Sequence, residues 1–294
     1  MSSDGVLLLD GGMGQELFTR GLARSDSLWG ARALIDAPET VRDVHAAYLT
    51  AGADVITTNT YSTSLPALER GGAADRFAEL NETAGKLAVQ ARDDHGRDLL
   101  IAGSLPPLGG SYRPDQVGDD LWMVDSYRQM AEALAPFVDV LLAETLSTAA
   151  EARAAASAAV SVARPIWIGW TVDADGHLLG GETVTEASEG MKVHGVLANC
   201  APPEAISQAL PEVVATRAER VGGYANAFAG VPEGWDVTNA GIDQLGERPD
   251  LDPQAYAAFA TRWLDAGANL VGGCCCIGAE HIATLRQRID DRTA

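Results

Sequence analysis

Short aliphatic runs alternate along this chain with longer amphipathic, alanine-rich stretches, the pattern of βα units on a parallel sheet. It predicts strands at residues 6–10, 55–60, 99–104, 138–145, 165–172, 196–200, 221–226 and 270–274. Helices are predicted at 39–51, 73–95, 121–135, 148–160, 185–193, 203–216, 253–266 and 279–289. In the first of these Val41, Val44, Tyr48 and Leu49 share one face. Eight strand–helix repeats without a Pro-, Ser- or charge-rich linker predict a single α/β domain over residues 1–294, a (β/α)8 TIM barrel. A doubly wound open sheet is the alternative, but it rarely needs eight such regular units.

Composition narrows the class. At 294 residues and 47% hydrophobic, the chain can bury one large core. No run approaches the roughly 18 apolar residues of a membrane span. Val6-Leu7-Leu8-Leu9 is too short for a signal-peptide core. Forty-one acidic residues against 21 basic ones give a net charge of −20, and Lys86 and Lys192 are the only lysines. Such a surface disfavours nucleic acid and anionic lipid. It suits a cationic small substrate, although solubility alone accounts for it. Four cysteines, three of them contiguous, make a poor disulfide framework, so a reducing compartment, the cytoplasm, is expected.

The cysteines carry the candidate chemistry. Cys200 closes Gly195-Val196-Leu197-Ala198-Asn199-Cys200, and the other three follow Gly272-Gly273 as Cys274-Cys275-Cys276. Both groups fall at predicted strand ends, the face of a barrel that carries the active site. Strands six and eight are two apart around the ring, so their ends can converge on one metal. Three thiolates form an open zinc site, with the fourth tetrahedral position left for substrate. A substrate thiol placed there would ionise near neutral pH yet stay electron-rich beside three anionic neighbours. Cysteines are often simply buried, but a diglycine leading into a cysteine run is a poor match to that reading. The ligand pair on strand eight is either Cys274 and Cys275 or Cys275 and Cys276.

Other polar residues gather at the same predicted strand ends: Asp10, Asn59, Ser104, Glu144, Thr171, Asn199 and Asn226. Asp10-Gly11-Gly12-Met13-Gly14-Gln15-Glu16-Leu17 leaves strand one as a glycine-rich turn into a helix. Backbone N–H groups of Gly11 and Gly12 suit a carboxylate, and Asp10 suits an ammonium group. Glu144 could hold the same ammonium. Trp29, Tyr61 and Trp170 are candidates to face a cationic ligand, although Trp170, inside a strand, is more often core than cage. His281 is placed to hydrogen-bond near the cysteine loop, not to serve as a ligand.

These residues resemble the zinc-dependent homocysteine S-methyltransferases over nearly the full chain. The resemblance rests on the glycine-rich segment 10–17, Ser27-Leu28-Trp29, residues 48–54, Thr57-Thr58-Asn59-Thr60-Tyr61, Glu144-Thr145, Asn199-Cys200 and Gly272-Gly273-Cys274-Cys275. It implies zinc on Cys200, Cys274 and Cys275, and homocysteine held by Asp10, Gly11 and Glu144; Gly12 and Asn59 are further candidates to bind substrate. Trp29 and Tyr61 fall where betaine-using members contact the methyl donor, while residues 25–34 look more like the S-methylmethionine users. The implied activity is transfer of a methyl group from a small onium donor, S-methylmethionine first, to homocysteine, giving methionine.

The chain departs from the family's pattern at Cys276, at Ala279, at Tyr224-Ala225-Asn226-Ala227 and in the third-strand loop, residues 103–114. The last two bear on the donor, leaving betaine, dimethylsulfoniopropionate or a corrinoid partner as alternatives. From another class, Gly222-Gly223 and Gly272-Gly273 are compatible with a phosphate-binding or non-catalytic metal-binding barrel, and zinc content separates the phosphate reading.

Overall fold

A computed structural model describes residues 5–22, 28–232, 235 and 245–292. The strands are β1 (Leu7–Leu8), β2 (Val55–Thr57), β3 (Leu100–Leu105), β4 (Val140–Leu146), β5 (Ile166–Trp170), β6 (Gly195–Asn199), β7 (Arg220–Ala225) and β8 (Leu270–Gly273). All pair in parallel, from β2 through β7 to β8 and on to β1. A parallel bridge between Leu9 and Val55 joins β1 to β2 and completes the ring. The helices are α1 (Met13–Thr19), α2 (Gly30–Asp36), α3 (Pro38–Thr50), α4 (Leu65–Arg70), α5 (Phe77–His95), α6 (Asp120–Leu134), α7 (Ala149–Ser161), α8 (Val184–Ser188), α9 (Pro203–Ala215), α10 (Pro253–Asp265) and α11 (Ala279–Asp291). The protein is the (β/α)8 TIM barrel the alternation predicts.

Side chains alternate across each strand, so every second residue points into the barrel. Leu7, Leu9, Val55, Ala102, Val140, Leu142, Trp167, Leu197, Tyr224 and Leu270 fill its interior. The opposite faces pack against the helices in the larger core, which holds Leu8, Ile56, Ile101, Leu141, Ile168, Val196 and Val271. Helix starts follow local chemistry. Thr148 and Thr183 form capping boxes with Glu151 and Glu186, and Ser64, Asp119 and Asp252 cap α4, α6 and α10.

Several expected boundaries move. The helix expected at 185–193 is the five-residue α8, which ends before Gly190 at φ +72°. The stretch expected as one helix at 73–95 opens as a 3-10 turn, Ala74–Arg76, before α5. Helices α2 and α4, inserted in the loops after β1 and β2, were not expected. Among the described residues no helix is long and apolar enough to cross a membrane.

Candidate active site

The three thiols meet where β6 and β8 end. Cys200, Cys274 and Cys275 place their sulfurs within 4.8 Å of one another, and Cys200 Sγ lies 3.8 Å from Cys275 Sγ. Neighbouring residues on a strand point to opposite faces, so two adjacent cysteines converge only where a strand stops. Here β8 stops at Gly273, and the Ile277 N–H donates to Cys274 O at 3.0 Å to close a turn. Cys276, at φ +64°, is not in the cluster; it packs toward Phe228, Trp235 and Leu245.

Cys200 has a left-handed backbone, φ +48°. Its carbonyl oxygen accepts from Asn226 Nδ2 at 2.7 Å, the Tyr112 hydroxyl at 3.1 Å and the Thr171 hydroxyl at 3.5 Å, which hold that conformation. Tyr112 Oη also lies 3.1 Å from Cys200 Sγ. Hydrogen bonding among the three thiols draws Cys200 below the ordinary thiol range and holds Cys274 and Cys275 above it.

Asp10 and Glu144 lie in the same cleft as the sulfurs. Asp10 Oδ2 accepts the Thr57 N–H at 2.7 Å and Oδ1 accepts the Thr57 hydroxyl at 2.9 Å. Glu144 Oε1 accepts from Ser104 Oγ at 2.5 Å and Oε2 from Tyr224 Oη at 3.2 Å. Each carboxylate offers about four acceptor positions, so each keeps acceptors for a ligand. Burial raises Asp10 to about 8 against the pull of its Thr57 bonds, and raises Glu144 to about 7 against those of Ser104 and Tyr224. Neither has a cationic partner among these contacts. Two buried carboxyls without counter-ions are suited to an arriving ammonium group.

Glu144 reaches the interior by the regular alternation of β4, and an irregularity follows it. Val140 and Leu142 point inward and Glu144 continues their face, but the register against β5 shifts between Ala143 and Leu146. Thr145 sits at φ +61° in that bulge. Asn199 Oδ1 accepts the Thr145 N–H at 2.8 Å, and Asn199 Nδ2 donates to Thr145 Oγ1 at 3.0 Å. Gly169 makes room for this layer, since a Cβ there would meet Asn199 Oδ1 at 2.7 Å and Tyr224 Oη at 3.0 Å.

The glycine-rich turn packs on the cysteine turn. A Cβ on Gly11 would stand 2.1 Å from Ile277 O, and the Gly12 N–H donates to that oxygen at 2.9 Å. The expectation that Gly12 offers its N–H to a ligand is thus corrected, because that donor closes the loop onto β8. The Gly11 N–H has no partner among the described residues, and α1 has no side-chain cap.

Trp29 and Tyr61 line the cleft and meet edge to face, ring centroids 5.9 Å apart. Asn59 lines it too, but its amide donates to Gly30 O at 2.9 Å and so holds the turn that carries Trp29. Trp170 is fully buried in the core outside the barrel, which removes it from the cation-facing set. His281 Nδ1 accepts the Gly278 N–H at 3.3 Å, and its Nε2 lies 3.1 Å from Leu251 O. Ser27 lies outside the described residues. Sequence reasoning missed Thr57, Tyr112 and Tyr224 as site residues, and also Phe228, Trp235 and Arg70 in the cleft wall. The cleft encloses about 160 Å³.

A sequence profile of the family described as Homocysteine S-methyltransferase matches residues 7–289. The chain is 32% identical to homocysteine S-methyltransferase 1 of Brassica oleracea var. italica, covering 92% of this chain and 89% of that one. It is 29% identical to homocysteine S-methyltransferase 1 of Zea mays, covering 98% and 96%. The metallated form of the homocysteine methyltransferase MmuM from Escherichia coli superposes with a TM-score of 0.80, at 29% identity and 97% coverage of both chains. The chain belongs to the homocysteine S-methyltransferase family.

Proposed function

We propose that this protein transfers a methyl group from a small onium donor, S-methylmethionine first, to the thiol of homocysteine, with zinc held by Cys200, Cys274 and Cys275. The observation that carries the reading is one cleft holding three converged thiols beside two buried carboxyls without counter-ions. The donor set fits zinc: three soft sulfur ligands within 4.8 Å, set on the ends of two strands and a tight turn. When bound, the metal supplies ionisation of a substrate thiol near neutral pH. The protein does the rest.

Asp10 and Glu144 hold the amino group of homocysteine by charge-assisted hydrogen bonds. The Gly11 N–H and the uncapped start of α1 face its carboxylate. Trp29 and Tyr61 present an aromatic wall to the cationic donor. Phe228 and Trp235 add apolar surface to the cleft wall, which reduces access of water. A new sulfur–carbon bond forms at homocysteine, and the donor's bond to its methyl breaks with the electron pair leaving on the donor. The thiol proton goes to solvent. Onium charge is neutralised as the bond breaks, so a neutral group departs. Positioning and an ionised nucleophile supply much of the rate.

The test is methionine formation from homocysteine by zinc-loaded protein with S-methylmethionine, betaine, dimethylsulfoniopropionate or S-adenosylmethionine. Turnover with at least one onium, lost on chelation and regained with zinc, is expected. Turnover with methylcobalamin and none of these donors would replace the onium reading by a corrinoid one.

A further inference from the structure

The cleft is lined by acidic groups, yet S-methylmethionine, betaine and dimethylsulfoniopropionate all carry a carboxylate. Asp10, Glu144 and three thiols line it. Among the described residues that line it, Arg70 is the one basic side chain. It stands in the last turn of α4, a helix started by Pro66 and the Ser64 cap and placed over the cleft after β2. Among the described residues Arg76, Arg128 and Arg248 are paired with carboxylates. Arg70 instead makes a single 3.4 Å hydrogen bond to Leu108 O among the described residues. Its guanidinium has further donors to offer.

A second observation belongs to the same cleft. The end of α4 packs on Leu28, where a Cβ on Gly71 would meet Leu28 Cδ2 at 2.3 Å, and Leu28 leads directly into Trp29. The Trp29 indole Nε1 is buried and has no hydrogen-bond partner, although it belongs to a cleft-lining residue. A buried orphan donor costs free energy unless a ligand satisfies it.

Resting on the onium reading above, we propose that Arg70, with the Trp29 indole N–H, receives the carboxylate of a zwitterionic methyl donor. Arg70 thereby selects carboxylated onium compounds over those without a carboxylate. The onium end lies toward the sulfurs and the carboxylate end toward α4. The planar guanidinium suits a carboxylate in two-point contact. A carboxylate entering without this cation would meet only anionic and neutral groups.

The experiment compares dimethylsulfoniopropionate with trimethylsulfonium, which keeps the sulfonium and lacks the carboxylate. It is run on zinc-loaded wild type and on Arg70→Gln and Arg70→Lys, reading kcat/KM for each donor, KM for homocysteine and donor affinity by calorimetry. The wild type should prefer dimethylsulfoniopropionate. Arg70→Gln should cut that preference about tenfold, by raising KM and Kd for the carboxylated donor, and Arg70→Lys should recover part of it. KM for homocysteine should stay put. An equal loss on both donors, or a rise confined to homocysteine, would overturn the assignment. Absence of transfer from every onium in the wild type is a different result, and it would overturn the onium reading and this inference together.

Discussion

Asn199 grips Thr145 from both sides, accepting its N–H at 2.8 Å and donating to its hydroxyl at 3.0 Å. Thr145 needs that grip because it sits at φ +61°, a region costly for a β-branched residue. The bulge it forms near the end of β4 follows Glu144, which lines the cleft with the sulfurs, and returns Leu146 to the outer core. Asn199→Ala should therefore leave a buried N–H unsatisfied and destabilise the fold by about 1–3 kcal/mol. It should also raise KM for homocysteine while metal content stays at wild-type level. Chemical denaturation and steady-state kinetics on one preparation check both. Unchanged homocysteine kinetics would show that the bulge does not aim Glu144.

The two carboxyls give binding a pH signature. Burial holds Glu144 at about 7 and Asp10 at about 8 in the free protein. An ammonium ligand needs them ionised, so binding lowers both values and releases protons. Affinity then rises as pH climbs through 7–8, levels off above that range, and weakens as pH falls. L-homoserine isolates the effect, since it shares the amino-acid end and has no thiol. Calorimetry at pH 6.5 in buffers of different ionisation enthalpy should show roughly one to two protons released, falling to none near pH 9. Glu144→Gln should remove the part centred near 7. Glu144→Gln and Asp10→Asn should each raise KM for homocysteine about 10–100-fold without loss of metal. Proton-neutral binding would remove the carboxyls from the substrate's amino end.

Tyr112 acts on the sulfurs from outside the ligand set. Its hydroxyl lies 3.1 Å from both Cys200 Sγ and Cys200 O. Tyr112→Phe should lower zinc affinity about tenfold and keep the fold. Competition against a chromophoric chelator measures it, and equal affinity in the two proteins would confine Tyr112 to packing against Trp235.

Trp29→Ala should weaken donor binding far more than homocysteine binding. A cation–π contact contributes roughly 0.5–2 kcal/mol, and the variant also loses the edge contact with Tyr61 and the surface that Gly14 packs against. Donor and acceptor KM values separate the two effects. An equal rise in both would mean that Trp29 only supports the wall.

Much of this was legible in the sequence because strand ends are marked by chemistry. Each aliphatic run stops at a polar or sulfur residue, so Asp10, Glu144, Cys200 and Cys274 could be placed on one face before any coordinates. The Cys275–Cys276 alternative depends on where the turn after β8 begins, and that is set by the Cys274–Ile277 hydrogen bond. Thr145 and Asn199 were not readable as a pair, because their link runs between β4 and β6 and nothing in either segment announces it. Trp170 shows the converse. Its position near the end of β5 suggested the cleft, but strand alternation turns it outward, while Gly169 faces the interior and leaves space for Asn199 and Tyr224. Tyr112 and Arg70 lie in loop and inserted-helix segments whose fold the periodicity does not carry.

The central claim is that Cys200, Cys274 and Cys275 hold a metal whose open position takes the homocysteine thiol. Zinc K-edge X-ray absorption on the zinc-loaded protein, with and without L-homocysteine, tests it most directly. The account predicts three sulfur ligands near about 2.3 Å in the free protein and four with homocysteine. Cys200→Ser, Cys274→Ser and Cys275→Ser should each lose the metal, and Cys276→Ser should retain it. An unchanged sulfur count on adding homocysteine, or a site emptied by Cys276→Ser and not by Cys274→Ser, would contradict the account.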